Sequence, residues 1–373
     1  MEKRFYPPTL KRINPSLLLS LVAFMLITFV ACKKDHTDYV QYKQIRPTKP
    51  KPAWAPTITP QMQAVIETLD TISPIPLYTL TPQQARMQPT PTDAVMRVMK
   101  NYNIPAPPMN VDTMGVKIPV DKGMIHARVY TPKTGKSVYP VIVYYHGGGW
   151  VIGTIDVYNA SAQALAEQVD AIVISVQYRK APEFKFPIAH TDSYTAYKWA
   201  LQNASTMKGD STRMAVAGES AGGNLAVAVS MMARDNGIRK PLHQLAVYPI
   251  ANNDVNTPSY IKYADAKPLS KPLMQWFFMH YLNTPAEGEN PWISLVDANL
   301  AGLPSTTIIA AEIDPLLSEG KMLAEKLKAA SIPVTYQLYA GVTHEFFGMA
   351  TVIPEAKKAQ ALAARELKKA LGH

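Results

Sequence analysis

Arg213-Met214-Ala215-Val216-Ala217-Gly218-Glu219-Ser220-Ala221-Gly222-Gly223-Asn224-Leu225-Ala226-Val227-Ala228 reads as a strand, a glycine-bracketed turn and the opening of a helix. The run 213–217 has the length and apolar character of a strand covered on both faces. Gly218-Glu219-Ser220-Ala221-Gly222 fits G-x-S-x-G in the strand–turn–helix setting that makes the pattern a nucleophile elbow. Its glycines permit a tight, strained turn that lifts the Ser220 hydroxyl above the sheet. The helix at 221–236 then aims free N–H groups at the same spot. Ser220 is the candidate nucleophile.

Outward from this stretch the alternation repeats. Apolar runs at 141–145, 171–176, 242–248, 306–311 and 334–339 read as strands, and 158–168, 190–203, 318–330 and 354–371 as helices. This predicts an α/β fold, a mostly parallel sheet with helices on both faces. Upstream, 114–119 and 124–130 alternate as strands around Asp121-Lys122-Gly123, a hairpin signal. Two regions interrupt the pattern. Residues 59–71 and 93–101 read as helices, with Pro74, Pro76, Pro82, Pro89 and Pro91 between them forbidding long regular elements. Residues 252–291 read as an insertion that holds Trp276, Phe277 and Phe278.

A serine hydroxyl needs a base, and the base needs an orienting carboxylate. Of the 8 histidines, His36 lies in a proline- and lysine-rich stretch and His373 is the last residue. His126 and His243 lie in or beside strands, His190 opens a helix, and His280 is in the insertion. His146 belongs to a glycine loop. His344, in a loop after the last strand, remains as the candidate base. The acid is expected between serine and histidine in chain order. Asp314, after the strand at 306–311, is the first choice and Glu312 the second, with Asp297 and Glu319 as further competitors. His146-Gly147-Gly148-Gly149-Trp150 follows the strand at 141–145. Glycines there let the backbone approach a developing oxyanion with no side chain in the way. The expected donors are the amides of Gly148, Gly149 and Ala221, with Gly147 shaping the turn. No G-K-[ST] follows, which argues against a phosphate loop.

Together these motifs resemble the hormone-sensitive-lipase-like branch of the α/β-hydrolases, a group of mostly carboxylesterases. Tyr178-Arg179-Lys180-Ala181-Pro182-Glu183 is similar to its Y-R-x-A-P-E segment. Gly218 to Asn224 is similar to its G-D-S-A-G-G-N elbow, and Asp314-Pro315-Leu316 and His344-Glu345-Phe346 are similar to its D-P-L and H-x-F signatures. The departures are Glu219 for aspartate, Glu345 for glycine beside the base, Leu317-Ser318 for a more polar pair, and Asn159 near a common aspartate. The resemblance implies a hydrolase domain at 57–373, with residues 57–103 and 252–291 folded together as a cap over the acyl pocket. It implies a serine carboxylesterase acting on short-chain acyl esters, with a small-molecule ester as substrate and no cofactor or metal. An enzyme deacylating glycans at the cell surface shares the chemistry, and a binding protein that has lost a triad member is a third reading. The complete Ser220, Asp314 and His344 set disfavours the last.

Composition bounds what remains. The 373 residues are 47% hydrophobic and 18% charged, ordinary globular usage. The net charge is +10, of which residues 1–31 carry +3 and residues 32–53 carry +4. The rest is nearly balanced, so a nucleic-acid partner is not indicated. The 1 cysteine excludes an intramolecular disulfide. A basic start precedes an apolar run over 17–31 that is short for a transmembrane span and ends in Phe29-Val30-Ala31-Cys32. This resembles a bacterial lipoprotein signal, which implies a signal peptide at 1–31, lipidation of Cys32 and a proline- and lysine-rich tether at 32–56. The expected partner is a lipid bilayer reached through N-terminal acyl chains. The expected place is the cell envelope outside the cytoplasm, at the outer membrane.

Overall fold

The computed structural model describes residues 1–2 and 42–372. The chain divides into two compact units, Met1–Gln44 and Ile45–His373. Of the first unit, only Met1, Glu2 and a helical turn at 42–44 are described; Cys32, the apolar run and His36 lie outside the described residues.

The second unit is built on an eight-stranded sheet in the order β1-β2-β4-β3-β5-β6-β7-β8, with β1 Val111–Val120, β2 Gly123–Pro132, β3 Tyr139–Tyr145, β4 Ile172–Gln177, β5 Gly209–Glu219, β6 His243–Val247, β7 Ser305–Ile313 and β8 Val334–Thr343. The hairpin β1–β2 joins antiparallel to β4, and all later neighbours are parallel. β3 and β6 are buried at every position, as strands covered on both faces must be. Side chains alternate between the faces. Ile142 and Tyr144 pack with Leu165 of α4 (Asn159–Val169) and Ala363 of α10 (Pro354–Leu371). Val141, Val143 and Tyr145 pack with Tyr197 of α5 (Ile188–Asn203) and Leu225 of α6 (Ala221–Asp235).

Both interruptions of the alternation are helical. The first holds α1 (Pro60–Ile72), α2 (Pro82–Arg86) and α3 (Pro91–Asn101), each opening on a proline where no N–H is missed. The second holds α7 (Pro258–Lys262) and α8 (Lys271–Tyr281). The two touch: the Trp276 indole donates to Leu80 O at 3.2 Å, and Lys267 pairs with Asp70 at 2.7 Å. The helix α9 (Leu317–Ala329) follows β7.

Two expectations shift. β8 runs on past Tyr339 to Thr343, through Gly341 at φ 71° and a register shift against β7. The glycine breaks the apolar pattern while the backbone continues, as at a bulge. The expectation of a tether over residues 32–56 fails for residues 45–56. Ile45 and Ala55 are fully buried, and the Glu67 carboxylate accepts from Thr48 N at 2.7 Å and Lys49 N at 3.0 Å. Gln63 in turn donates to Lys49 O at 2.7 Å. Residues 45–56 therefore pack onto α1 as part of the globular unit; prolines spaced too irregularly for an element hid this.

Candidate active site

β5 ends at Glu219 and α6 begins at Ala221, leaving Ser220 alone between them at φ 56°, ψ −119°. An L-residue takes that conformation only when its surroundings hold it there. Its amide donates to Val247 O at 2.9 Å, tying the turn to the end of β6. The close approach behind it requires glycine at 222, where a Cβ would lie 1.9 Å from Tyr145 O. Ala221 is the first residue of α6, among the N–H groups with no partner within their own helix.

His344 follows β8 directly and is 3% exposed. Its Nδ1 lies 2.7 Å from Asp314 Oδ2, just beyond β7. A carboxylate only accepts, so Nδ1 carries the proton and Nε2 is the free basic nitrogen. The other oxygen of Asp314 accepts from Leu316 N at 2.9 Å, which fixes the carboxylate plane. Burial works against the charged imidazolium. The Asp314 charge and hydrogen bond, then the Glu345 and Glu219 charges, outweigh it and hold the His344 pKa above its usual value. Glu312 is engaged elsewhere, accepting from Thr57 Oγ1 at 2.9 Å and Gly341 N at 2.7 Å. Glu319 accepts from Ala251 N at 2.8 Å, and Asp297 closes a 3₁₀ turn. The structure thus brings Asp314, of the four acids, to the base. Ser220 and His344 both stand at the carboxyl end of the sheet, with the Tyr248 ring tilted against the imidazole at a centroid distance of 4.5 Å.

In the glycine loop, two peptide planes are fixed from behind. His146 Nδ1 donates to Gly147 O at 2.7 Å, and Val151 N and Ile152 N donate to Gly148 O at 3.0 and 2.9 Å. In a planar trans peptide the next N–H points the opposite way. The amides of Gly148 and Gly149 therefore face away from these partners. Burial lowers the His146 pKa to about 3, so the ring is neutral. Its Nε2 then accepts from Gln177 Nε2 at 3.3 Å.

The model of the alpha/beta hydrolase fold family matches residues 142–348. The chain belongs to the α/β-hydrolase family. The carboxylesterase NlhH of Mycobacterium tuberculosis is 38% identical to this hydrolase over 251 residues, 66% of this chain and 79% of that one. The ethyl acetate hydrolase of Pseudomonas putida is 31% identical over 240 residues, 63% of this chain and 76% of its own. Among solved structures, a thermostable esterase from Pseudomonas putida superposes with a TM-score of 0.78 at 30% identity, covering 85% of this chain and 98% of that one. An esterase from Pyrobaculum calidifontis gives 0.72 at 35% identity, covering 78% and 94%. The hydrolase is a carboxylic ester hydrolase.

Behind its serine lies a network that the sequence did not reveal. Glu219 is buried and accepts from the hydroxyls of Tyr144, at 2.5 Å, and Tyr248. Burial, then the Glu345 charge, raise its pKa to about 7. Tyr158 donates to Glu345 Oε1 at 2.6 Å, and that same oxygen lies 4.0 Å from His344 Nε2. Glu219 and Glu345 stand out as departures from the motif, but no local pattern marks the tyrosines that hold them. Asn224, which closes the elbow motif, is held in the first turns of α6. It donates to Ile250 O at 3.0 Å and Ile293 O at 3.1 Å and accepts from His190 Nε2 at 2.9 Å.

The helical segments of the hydrolase reach the glycine loop. The Phe277 ring sits on Gly149, where a Cβ would come within 2.1 Å of it. Trp150 stacks on Tyr281 at 4.5 Å. A cavity of about 270 Å³ opens between the segments, walled by Leu69, Leu77, Tyr78, Pro91 and Leu273 among others. Trp276, Phe277 and Phe278 are outside its walls, as are Ser220, Asp314 and His344.

Proposed function

We propose that the protein is a serine carboxylesterase of short-chain acyl esters, working through an acyl-enzyme on Ser220. The observation that carries the reading is the strained Ser220 at the β5–α6 junction, at the same sheet end as a His344 whose tautomer Asp314 sets. His344 Nε2 takes the Ser220 proton as Oγ attacks the ester carbonyl, and a C–O bond forms while the carbonyl π pair moves to oxygen. The amides of Gly148, Gly149 and Ala221 receive that oxyanion, and Gly147 shapes the turn that presents them. Collapse of the intermediate breaks the bond to the alcohol, which leaves with the proton from His344. Water then attacks the acyl group, giving its proton to the same nitrogen and releasing acid and free serine. Asp314 stabilises the imidazolium throughout. Residues 57–103 and 252–291 act as the cap, and Phe277 over Gly149 limits the depth available to the acyl chain. This supports short chains.

The N-terminal segment gives the reading its location. Residues 1–31 are a signal peptide and Cys32 is acylated, so the enzyme is anchored in the bacterial cell envelope. Ser220→Ala tests the core of the proposal. Turnover of a butyryl ester should fall on the order of 10⁶-fold, with an unchanged unfolding transition. Near-wild-type turnover in that variant would overturn the assignment.

A further inference from the structure

We propose that Arg86 and Lys180 are positioning residues for the oxyanion loop, each holding one of its two donor peptide planes from outside. The inference rests on the reading that the amides of Gly148 and Gly149 receive the oxyanion.

The first plane is reached in two steps. Arg86, the last residue of α2, donates from Nε to Val151 O at 2.9 Å. Val151 O and the N–H of Ile152 belong to one planar peptide and point in opposite directions. Holding the oxygen therefore turns the Ile152 N–H onto Gly148 O, which it meets at 2.9 Å. Gly148 O and the N–H of Gly149 share the next plane, so the pull of Arg86 ends in the direction of the Gly149 donor. The rest of the guanidinium is anchored. It donates to Ala181 O at 2.5 Å and forks onto Glu183 at 2.9 and 2.7 Å. Ala181 N in turn donates to Trp150 O at 2.9 Å, inside the same loop.

The second plane is held by Lys180. Its Nζ donates to Gly153 O at 2.5 Å. Gly153 lies so close behind the loop that a Cβ there would come within 2.5 Å of Gly147 O. Gly147 O shares its plane with the N–H of Gly148. Lys180 thus keeps Gly153 seated against the plane that carries the other donor. The ammonium is largely removed from water, an unfavourable site for a cation unless its hydrogen bond matters to the fold around it. In the Y-R-x-A-P-E segment the motif leaves this position open, and this chain fills it with lysine.

The consequence is that a segment outside the sheet, at residues 82–86, sets transition-state geometry without touching substrate. Arg86→Lys keeps the charge and loses the fork, and Lys180→Met keeps the stem and loses the donor. Each should lower kcat between about 10- and 100-fold with KM within about threefold, because misaimed donors cost the transition state and leave ground-state binding alone. The inhibition constant of butylboronic acid, which forms a tetrahedral adduct on serine, should rise in parallel, while that of butyrate stays put. Melting temperatures check that the variants are folded; if Arg86→Lys does not fold, Lys180→Met decides. Wild-type kcat and boronate affinity in a folded variant, or a loss confined to KM, would overturn the inference. Ser220→Ala is run beside them. If it retains activity, the proposed function itself has failed; if it is inactive while Arg86→Lys and Lys180→Met behave as wild type, only the positioning role falls.

Discussion

Glu345→Gln should move the acidic limb of the pH profile to lower pH by about one unit. The carboxylate lies 4.0 Å from His344 Nε2, the nitrogen that gains a proton during acylation. A unit charge pair at that distance is worth about 1 kcal/mol in watery surroundings and about 4 kcal/mol at an effective dielectric near 20. Since 1.36 kcal/mol is one pKa unit, complete loss of a full charge would lower the His344 pKa by about one to three units. Burial pushes the Glu345 carboxyl itself above its usual range, so part of the charge is already neutralised on the acid side. That favours the lower figure. The sign is fixed: a negative neighbour stabilises the imidazolium, its removal makes the ring easier to deprotonate, and only the neutral ring can take the serine proton. Glutamine keeps an acceptor for Tyr158, which isolates charge from packing. The assay is kcat/KM for a butyryl ester between pH 4 and 8, which reports the free enzyme. A limb that stays in place, or moves up, would refute the electrostatic coupling.

Asp314→Asn should cost about 10⁴ in kcat by leaving His344 in the wrong tautomer, and Glu312→Gln should be mild; the reverse ranking under saturating ester would move the acid to Glu312. Glu219 prefers its protonated form in the fold, with a pKa raised from 4.5 to about 7. Its contribution is present below about pH 4.5 and is lost as pH rises through about 7, up to on the order of 3 kcal/mol. Urea midpoints of Glu219→Gln should therefore fall less than those of the parent between pH 5 and 8, and equal slopes would remove Glu219 from the account. A chain starting at residue 45 should melt several degrees above one starting at residue 54, which lacks the buried Ile45 and the Glu67 hydrogen bonds; coincident calorimetric transitions would count against the docking of this strip. Cys32→Ala should abolish incorporation of labelled fatty acid and detergent-phase partitioning, and full partitioning of a properly cleaved variant would end the lipoprotein reading.

The parallel core was legible because its strands are short, mainly apolar runs, several bounded by proline or glycine, and burial on both faces keeps most of their positions apolar. The chemistry was legible for a related reason. Ser220 needs close glycines, and the glycine loop needs bare backbone, so both leave local marks. Asp314 came ahead of Glu312 in the sequence through its D-P-L context, and the three-dimensional neighbours separate the two outright: Glu312 lies within β7, bonded to Thr57 and Gly341, while Asp314 follows the strand and meets His344. Tyr144, Tyr158 and Tyr248 escaped altogether. A tyrosine that holds a carboxylate from another strand carries the same local signature as one that fills a core. The extension of β8 escaped because Gly341 and its neighbours break the period of two while the backbone goes on pairing. Arg86 escaped because a lone basic residue ending a short helix reads as solvent-facing, although its guanidinium nitrogens are spent on Val151, Ala181 and Glu183, 65 to 97 residues away.

The docking of residues 45–56 onto α1 also bounds the leash that acylation of Cys32 would leave. If Cys32 is the acylated anchor, about a dozen residues separate it from Ile45, the first buried side chain among the described residues. At roughly 3.5 Å per residue even a taut chain reaches only about 40 Å. A folded unit of this size has a radius of gyration near 20 Å. The catalyst would then work within a shell scarcely deeper than its own body, sampling a thin layer above the lipid. Its encounters would be governed by what diffuses into that layer or is itself fixed there, and lengthening the leash would widen the territory without altering a single catalytic constant.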